Sequence, residues 1–258
     1  MIKPGLVSIS FRSLDASEII KLTKRAGLSG IEWGGDIHAP HGNIDKAESV
    51  RKATSDAGLE VSGYGSYFRA GEAESLQNPP FSDVLKSAAT LGAPVIRIWA
   101  GAKGSKDADD IYRRAVVKES RKAADMAAAE GIKVAFEYHV GSLTDEKHSA
   151  KKLMEEIANP NCGCFWQPAC GIGESEKVEG LEMILPWLSN VHVFNWVGDY
   201  ERRELSQGYD KWAKYFDIIS KAQGDRYALM EFVKDDDPEQ LIKDARVLKE
   251  WLSRLQLR

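Results

Sequence analysis

Short apolar runs alternate with longer stretches of helical periodicity along the whole chain. The runs are GLVSIS (5–10), SGIEW (29–33), LEVSGYG (59–65), PVIRIW (94–99), KVAFEY (133–138), CGCFW (162–166), VHVFN (191–195) and YALMEF (227–232). Each has the length, the β-branched or aromatic content and the polar borders of a buried strand. The first intervening helix is well marked: Asp15 can cap it, Glu18 completes a capping box, and Leu14 and Ile19 can form a hydrophobic staple. Ile19, Leu22 and Ala26 then supply its buried face, and Gly27 stops it. Further helices are predicted over 43–57, 79–91, 108–130, 145–158, 177–188, 209–222 and 238–254, with Gly58, Gly92 and Gly131 closing three of the segments.

Eight strand-then-helix units predict an α/β fold, a single (β/α)8 TIM barrel, with functional groups at the C-terminal strand ends. An open doubly wound sheet would need a break in the alternation or a glycine-rich phosphate loop after the first strand. The segment SFRSLDAS supplies neither. No linker or low-complexity tract divides residues 1–258, a length that can bury one large core, so a single domain is expected.

The formal charge of −4 is spread as interspersed acids and bases, which offers no basic field to nucleic acid. The opening MIKPGLVSISFRS has too short an apolar run for a signal peptide, and no apolar stretch reaches the roughly 18 residues of a membrane span. Three cysteines make no disulfide framework and fit a reducing compartment. A soluble cytoplasmic protein is expected, with an outer helical layer compatible with a homo-oligomer.

The predicted strand exits carry the candidate chemistry: Glu32 and Trp33, Tyr64, Trp99, Glu137 with Tyr138 and His139, Gln167 with Cys170, His192 with Asn195 and Trp196, and Glu231. Two carboxylates, a histidine and an amide on the last four strands can converge in a barrel mouth, and their donors suit one Mn, Mg or Zn ion. The bland alternatives are a structural ion pair for each glutamate and a core histidine for His192. Trp33, Tyr64, Trp99, Trp166 and Trp196 can frame the less polar face of a ring, or pack between strands and helices. Cys162 and Cys164 have strand spacing and read as small packing groups. Cys170 either contacts substrate or fills a loop pocket. Arg202 and Arg203, in DYERRELSQG, either bind substrate or form surface salt bridges. KDDDP reads as a solvated loop with a helix cap.

The segments GLSGIEWGGDIHAPHG, VIRIWAG, VAFEYHVGSLTD, WQPAC, VHVFNW, RRELSQG and YALMEFVKDD together resemble the xylose-isomerase-like TIM-barrel superfamily over essentially the full chain. That superfamily holds sugar isomerases, epimerases and inosose-processing enzymes, and is related to endonuclease IV. The resemblance implies metal ligands at Glu137, Gln167, His192 and Glu231. Gln167 stands where aspartate is usual, and Cys170 where a substrate-binding histidine is common. It also implies a mouth position and substrate contact for His38, in the glycine-rich loop, while His139 is a substrate-contact candidate by its place at a strand exit. His41 reads equally as a solvent-facing loop residue, and His148 falls outside the site.

These implications add up to metal-dependent isomerisation or epimerisation beside the carbonyl of a small polyhydroxylated keto sugar or cyclitol, with Glu137 and Glu231 moving protons on opposite faces. Inosose-type dehydration and a noncatalytic sugar-binding barrel are the alternatives. A repair nuclease would need a histidine-rich multinuclear centre, and this chain has five histidines and no basic stripe.

Overall fold

The alternation read from the sequence closes into a ring in the computed structural model, which describes residues 1–75, 77–198 and 200–256. The strands are β1 (Ile2–Val7), β2 (Gly30–Gly34), β3 (Glu60–Arg69), β4 (Val95–Trp99), β5 (Lys133–Glu137), β6 (Cys162–Trp166), β7 (Leu188–Val193), β8 (Trp196–Val197), β9 (Glu201–Arg202) and β10 (Arg226–Met230). All but β8 and β9 form a closed parallel barrel in the order β1-β10-β7-β6-β5-β4-β3-β2. β8 and β9 make a small antiparallel hairpin in the loop that follows β7. The outer layer is α1 (Ala16–Ala26), α2 (Ile44–Asp56), α3 (Phe81–Leu91), α4 (Asp110–Ala129), α5 (Lys147–Ile157), α6 (Glu174–Ile184), α7 (Tyr209–Ile219) and α8 (Pro238–Gln256). The expected (β/α)8 barrel is therefore the observed fold.

Local chemistry sets the boundaries. Asp15 accepts from the Glu18 amide while the Glu18 side chain accepts from the Asp15 amide, and Gly27 ends α1 at φ +66°. β1 starts earlier than predicted, at Ile2, because its backbone pairs with β10 from Ile2 onward. Residues 8–11 then turn in a 3-10 segment and are no longer strand. The sixth helix ends at Ile184 rather than 188, and Leu188 already belongs to β7. Among the described residues no helix is long and apolar enough to cross a membrane.

Side chains alternate across each strand, so successive inward positions stack in layers along the barrel axis. Val7, Val95, Ala135, Phe165 and Leu229 form one buried apolar layer, separate from the larger core between strands and helices. Two residues further along their chains come Arg97, Glu137, Gln167 and Glu231, so the pleat places polar groups directly above an apolar floor.

Candidate active site

The upper layer is a buried polar network. Arg97, from the middle of β4, is 1% exposed, and Glu32 from β2 is fully buried. Nε of Arg97 donates to Glu32 Oε1 at 2.7 Å, and its Nη1 donates to Glu137 Oε2 at the end of β5. The Trp99 indole also donates to Glu137 Oε2, at 2.6 Å. Space for this pairing comes from Gly65 on β3: a Cβ there would stand 2.6 Å from Arg97 Nη2 and 2.9 Å from Glu32 Oε1. Tyr67, two residues on, takes a left-handed conformation at φ +57° and lays its ring 5.5 Å from the Arg97 guanidinium.

His192, fully buried on β7 with its ring edge-on to Phe165 of the floor, joins this network to a second group. Its Nε2 lies 3.1 Å from Glu32 Oε2. Its Nδ1 faces three oxygens: Glu231 Oε2 at 3.2 Å, Gln167 Oε1 at 3.3 Å and Glu137 Oε1 at 3.9 Å. The Gln167 amide donates to Glu137 Oε1 at 3.1 Å. Glu231 Oε2 is buried and makes no hydrogen bond of acceptable geometry, despite its closeness to Nδ1.

The charges are strongly interdependent. Burial works against ionised Glu32, but Arg97 and then His192 overcome it and bring its pKa down to about 2. Burial likewise penalises Glu137, and Arg97, His192 and His139 outweigh it and lower its pKa. Burial disfavours the His192 imidazolium, yet the Glu231 and Glu32 carboxylates raise its pKa to about 10. The Arg97 guanidinium is held protonated, its burial more than offset by Glu137 and Glu32.

The four residues expected as ligands, Glu137, Gln167, His192 and Glu231, thus lie together at one end of the barrel. Among the described residues no three histidine, cysteine or acidic side chains stand as a ready-made metal site. Glu137 Oε2 is committed to Arg97 and Trp99, and Glu137 Oε1 accepts from the Gln167 amide.

The other expected contacts divide. Trp99 and His139 are part-exposed above Glu137 and stack at 4.5 Å, and His139 Nδ1 is 2.5 Å from the Val140 carbonyl. Trp196 and Cys170 also line the mouth-side loops. Trp33 and Tyr64 do not frame a ligand: both are fully buried, and the Tyr64 hydroxyl donates to the Ala39 carbonyl and meets His41. Trp166 is buried as well, against Trp212 and Tyr215. His38 was expected at the mouth, but it is 3% exposed with its ring nitrogens held by Ser8 Oγ and the Leu14 carbonyl. Arg202 pairs with Asp236 and Arg203 with Glu201, which is the salt-bridge alternative for both. His148 is exposed, away from the cluster. Sequence reading missed Arg97 and Tyr67 and left Glu32 without a role.

A family model described as xylose isomerase-like TIM barrel matches residues 20–251. A 3-dehydroshikimate dehydratase of Bacillus anthracis is 24% identical over 212 residues, covering 75% of this chain and 71% of that protein. The crystal structure of a probable 3-DHS dehydratase, AsbF of Bacillus anthracis, superposes with a TM-score of 0.77 at 22% identity, covering 96% of this chain and 99% of that one. A D-allulose 3-epimerase from Methylomonas sp. gives 0.74 at 13% identity, covering 97% and 98%. A xylose isomerase-like protein from Mycobacterium smegmatis in complex with magnesium gives 0.72 at 13%, covering 98% and 97%. At these identities the structural likenesses show the fold.

Proposed function

The chain belongs to the xylose isomerase-like TIM-barrel family, and from that premise we propose that it is a divalent-metal-dependent dehydratase of a small hydroxylated cyclic ketone. It takes a proton from the carbon beside the carbonyl and expels a neighbouring hydroxyl as water. This replaces isomerisation or epimerisation as the leading reading, although all three reactions begin with the same proton abstraction. The matched relative named a 3-dehydroshikimate dehydratase supports the choice. So does the inequality of the two carboxylates. An epimerase that works both faces of a substrate needs two free proton carriers. Glu137 is tied down by Arg97, Trp99 and Gln167, with its pKa lowered, and makes a poor carrier.

The observation that carries the metal assignment is the buried Glu231 Oε2, which accepts no hydrogen bond of acceptable geometry and crowds with the Gln167 and Glu137 oxygens around His192 Nδ1. The cation beside that oxygen is the His192 imidazolium, and a divalent ion would take the place of the Nδ1 proton and give the oxygen a stronger partner. Glu231, Gln167 Oε1, His192 Nδ1 and Glu137 Oε1 fit the oxygen-rich donor set of Mg or Mn, with Zn also tolerable. Glu32 on Nε2 is the outer carboxylate that orients a ligating imidazole. When bound, such an ion polarises the substrate carbonyl and stabilises negative charge on its oxygen. Arg97 fixes Glu137 so that only Oε1 faces the ligand.

His139 takes the proton in this reading. With Nδ1 directed at the Val140 carbonyl, its Nε2 is left as the acceptor, and Trp99 holds the ring flat. The protonated ring can then return that proton to the departing hydroxyl. The test is incubation with 3-dehydroshikimate, inososes and keto sugars in deuterated water with added Mn, followed by mass spectrometry. Loss of water from a cyclic ketone, abolished in His139→Gln and Glu231→Gln, is expected. Deuterium incorporation without water loss would return the protein to the isomerases and epimerases. Saturable binding with neither outcome would make it a sugar-binding barrel.

A further inference from the structure

A separate cavity of about 290 Å³ lies on the same barrel face, between the loop after β6 and the loop after β7. It takes no part in the carboxylate–histidine cluster. Its walls include Trp196, Trp212 and Tyr215, which are flat and largely apolar, together with Cys170 and two lysines, Lys177 of α6 and Lys211 of α7. That volume is at the small end of ligand pockets, which run from about 300 to 1,000 Å³, and it suits a ligand of one ring.

Among the described residues the charge inside is unbalanced. Lys177 pairs with Glu174 Oε1 at 2.7 Å, and Glu174 Oε2 accepts from the Tyr215 hydroxyl at 2.5 Å. Lys211 makes no hydrogen bond or ion pair among the described residues and feels Glu174 only through space. Two ammonium groups therefore share one carboxylate whose oxygens are both taken. Aromatic walls with surplus positive charge match a planar ring bearing a carboxylate.

We propose that this cavity is a subsite for a cyclic carboxylate, with Lys211 as its main anchor and Lys177 as the second. The proposal rests on the dehydratase reading in one respect: it makes the cyclic ketone an acid. The cavity predicts the charge on the ligand, and the reaction depends on the other cluster, so the two can fail separately.

Cys170 reports on the cavity without metal or turnover. It is part-exposed, whereas Cys162 and Cys164 are buried. Burial raises its pKa while Lys177 pulls the other way, so the ratio of alkylation rates with and without ligand is the quantity to follow in each variant. Iodoacetamide labelling of the full chain, followed by peptide mass spectrometry, is run with shikimate, methyl shikimate or inorganic phosphate. Shikimate is expected to protect Cys170, and its neutral ester to need about tenfold more or fail, the effect of one charge-assisted contact. Lys211→Met should weaken the protection by a similar factor, and Lys177→Met by less. No protection by millimolar shikimate, equal protection by acid and ester, or protection untouched by both lysine variants would overturn the proposal. Protection by phosphate alone would overturn the carboxylate assignment. Protection as expected without any dehydration would leave the subsite standing and remove the dehydratase reading. Dehydration of acid and ester at equal efficiency, without protection, would do the reverse.

Discussion

The polar layer of this barrel has two unlike halves. On the β2–β4–β5 side, Glu32, Arg97 and Glu137 satisfy one another: the guanidinium lies between the carboxylates and Trp99 adds a donor. On the β6–β7–β10 side, Gln167 and Glu231 crowd their acceptors around one imidazole nitrogen of His192, and Glu231 Oε2 is left with that close approach and no well-aligned hydrogen bond. Both halves sit on the same apolar floor and are equally dry, so burial alone does not distinguish them. What differs is the kind of cation: a permanent guanidinium in one half, an imidazolium that can lose its proton in the other. A half neutralised from within has the makings of a scaffold. A half whose cation is a proton on His192 has the makings of a ligand site, because a metal ion can take that proton's place, and the neutral amide of Gln167 adds less negative charge there than an aspartate would.

Breaking the closed half should have the largest effect. Arg97→Met leaves two buried carboxylates without their cation, and removal of one partner from a buried pair costs about 3–5 kcal/mol. Denaturant unfolding should show that loss. A variant as stable as the parent would mean that the ion pairs do not hold this half together. Gly65→Ala presses on the same pair through space: the added methyl meets Arg97 and Glu32 at less than contact distance. Its expected cost is about 1–3 kcal/mol, read by the same unfolding curve.

The link between the halves is the Glu32–His192 contact. If His192 ligates the proposed ion, Glu32→Gln removes the outer carboxylate of that imidazole, and such changes weaken metal binding about 10–100-fold. Competition with a coloured chelator measures this, and unchanged affinity would detach Glu32 from the ion. The smallest effect is on the thiols. Burial pushes Cys162 and Cys164 up to about 12, so the reactive thiolate is scarce at neutral pH and grows only as pH rises towards that value. Native protein at pH 8 should be alkylated at Cys170 and spared at the other two, and labelling of all three without denaturant would contradict their burial.

The barrel was legible because strand and helix periods alternate cleanly and end at caps and glycines. The four convergent residues were legible for the same reason, since each follows an apolar run at a strand exit. The misplaced aromatics show what was left unused. Glu32 and Trp33 are neighbours in one strand and must point to opposite sides, so an inward Glu32 sends Trp33 into the strand–helix core. Tyr64 is displaced in the same way by the inward Gly65. His139, two residues beyond Glu137, stays on its side and reaches the mouth. Arg97 carried a signal too: an arginine between two isoleucines in a buried strand needs carboxylates close by. No local pattern foretold His38, whose burial depends on Ser8 and Leu14 of another segment. The partners of Arg202 and Arg203 were equally open, because surface pairing leaves no periodicity.

Equilibrium dialysis of the chelated protein against Mn2+ tests the unequal halves most directly. One ion should bind per chain, and binding should be lost in Glu231→Gln and weakened in Gln167→Ala. No saturable uptake up to millimolar Mn2+, or uptake indifferent to both substitutions, would contradict a cation-seeking half and with it the metal-dependent chemistry.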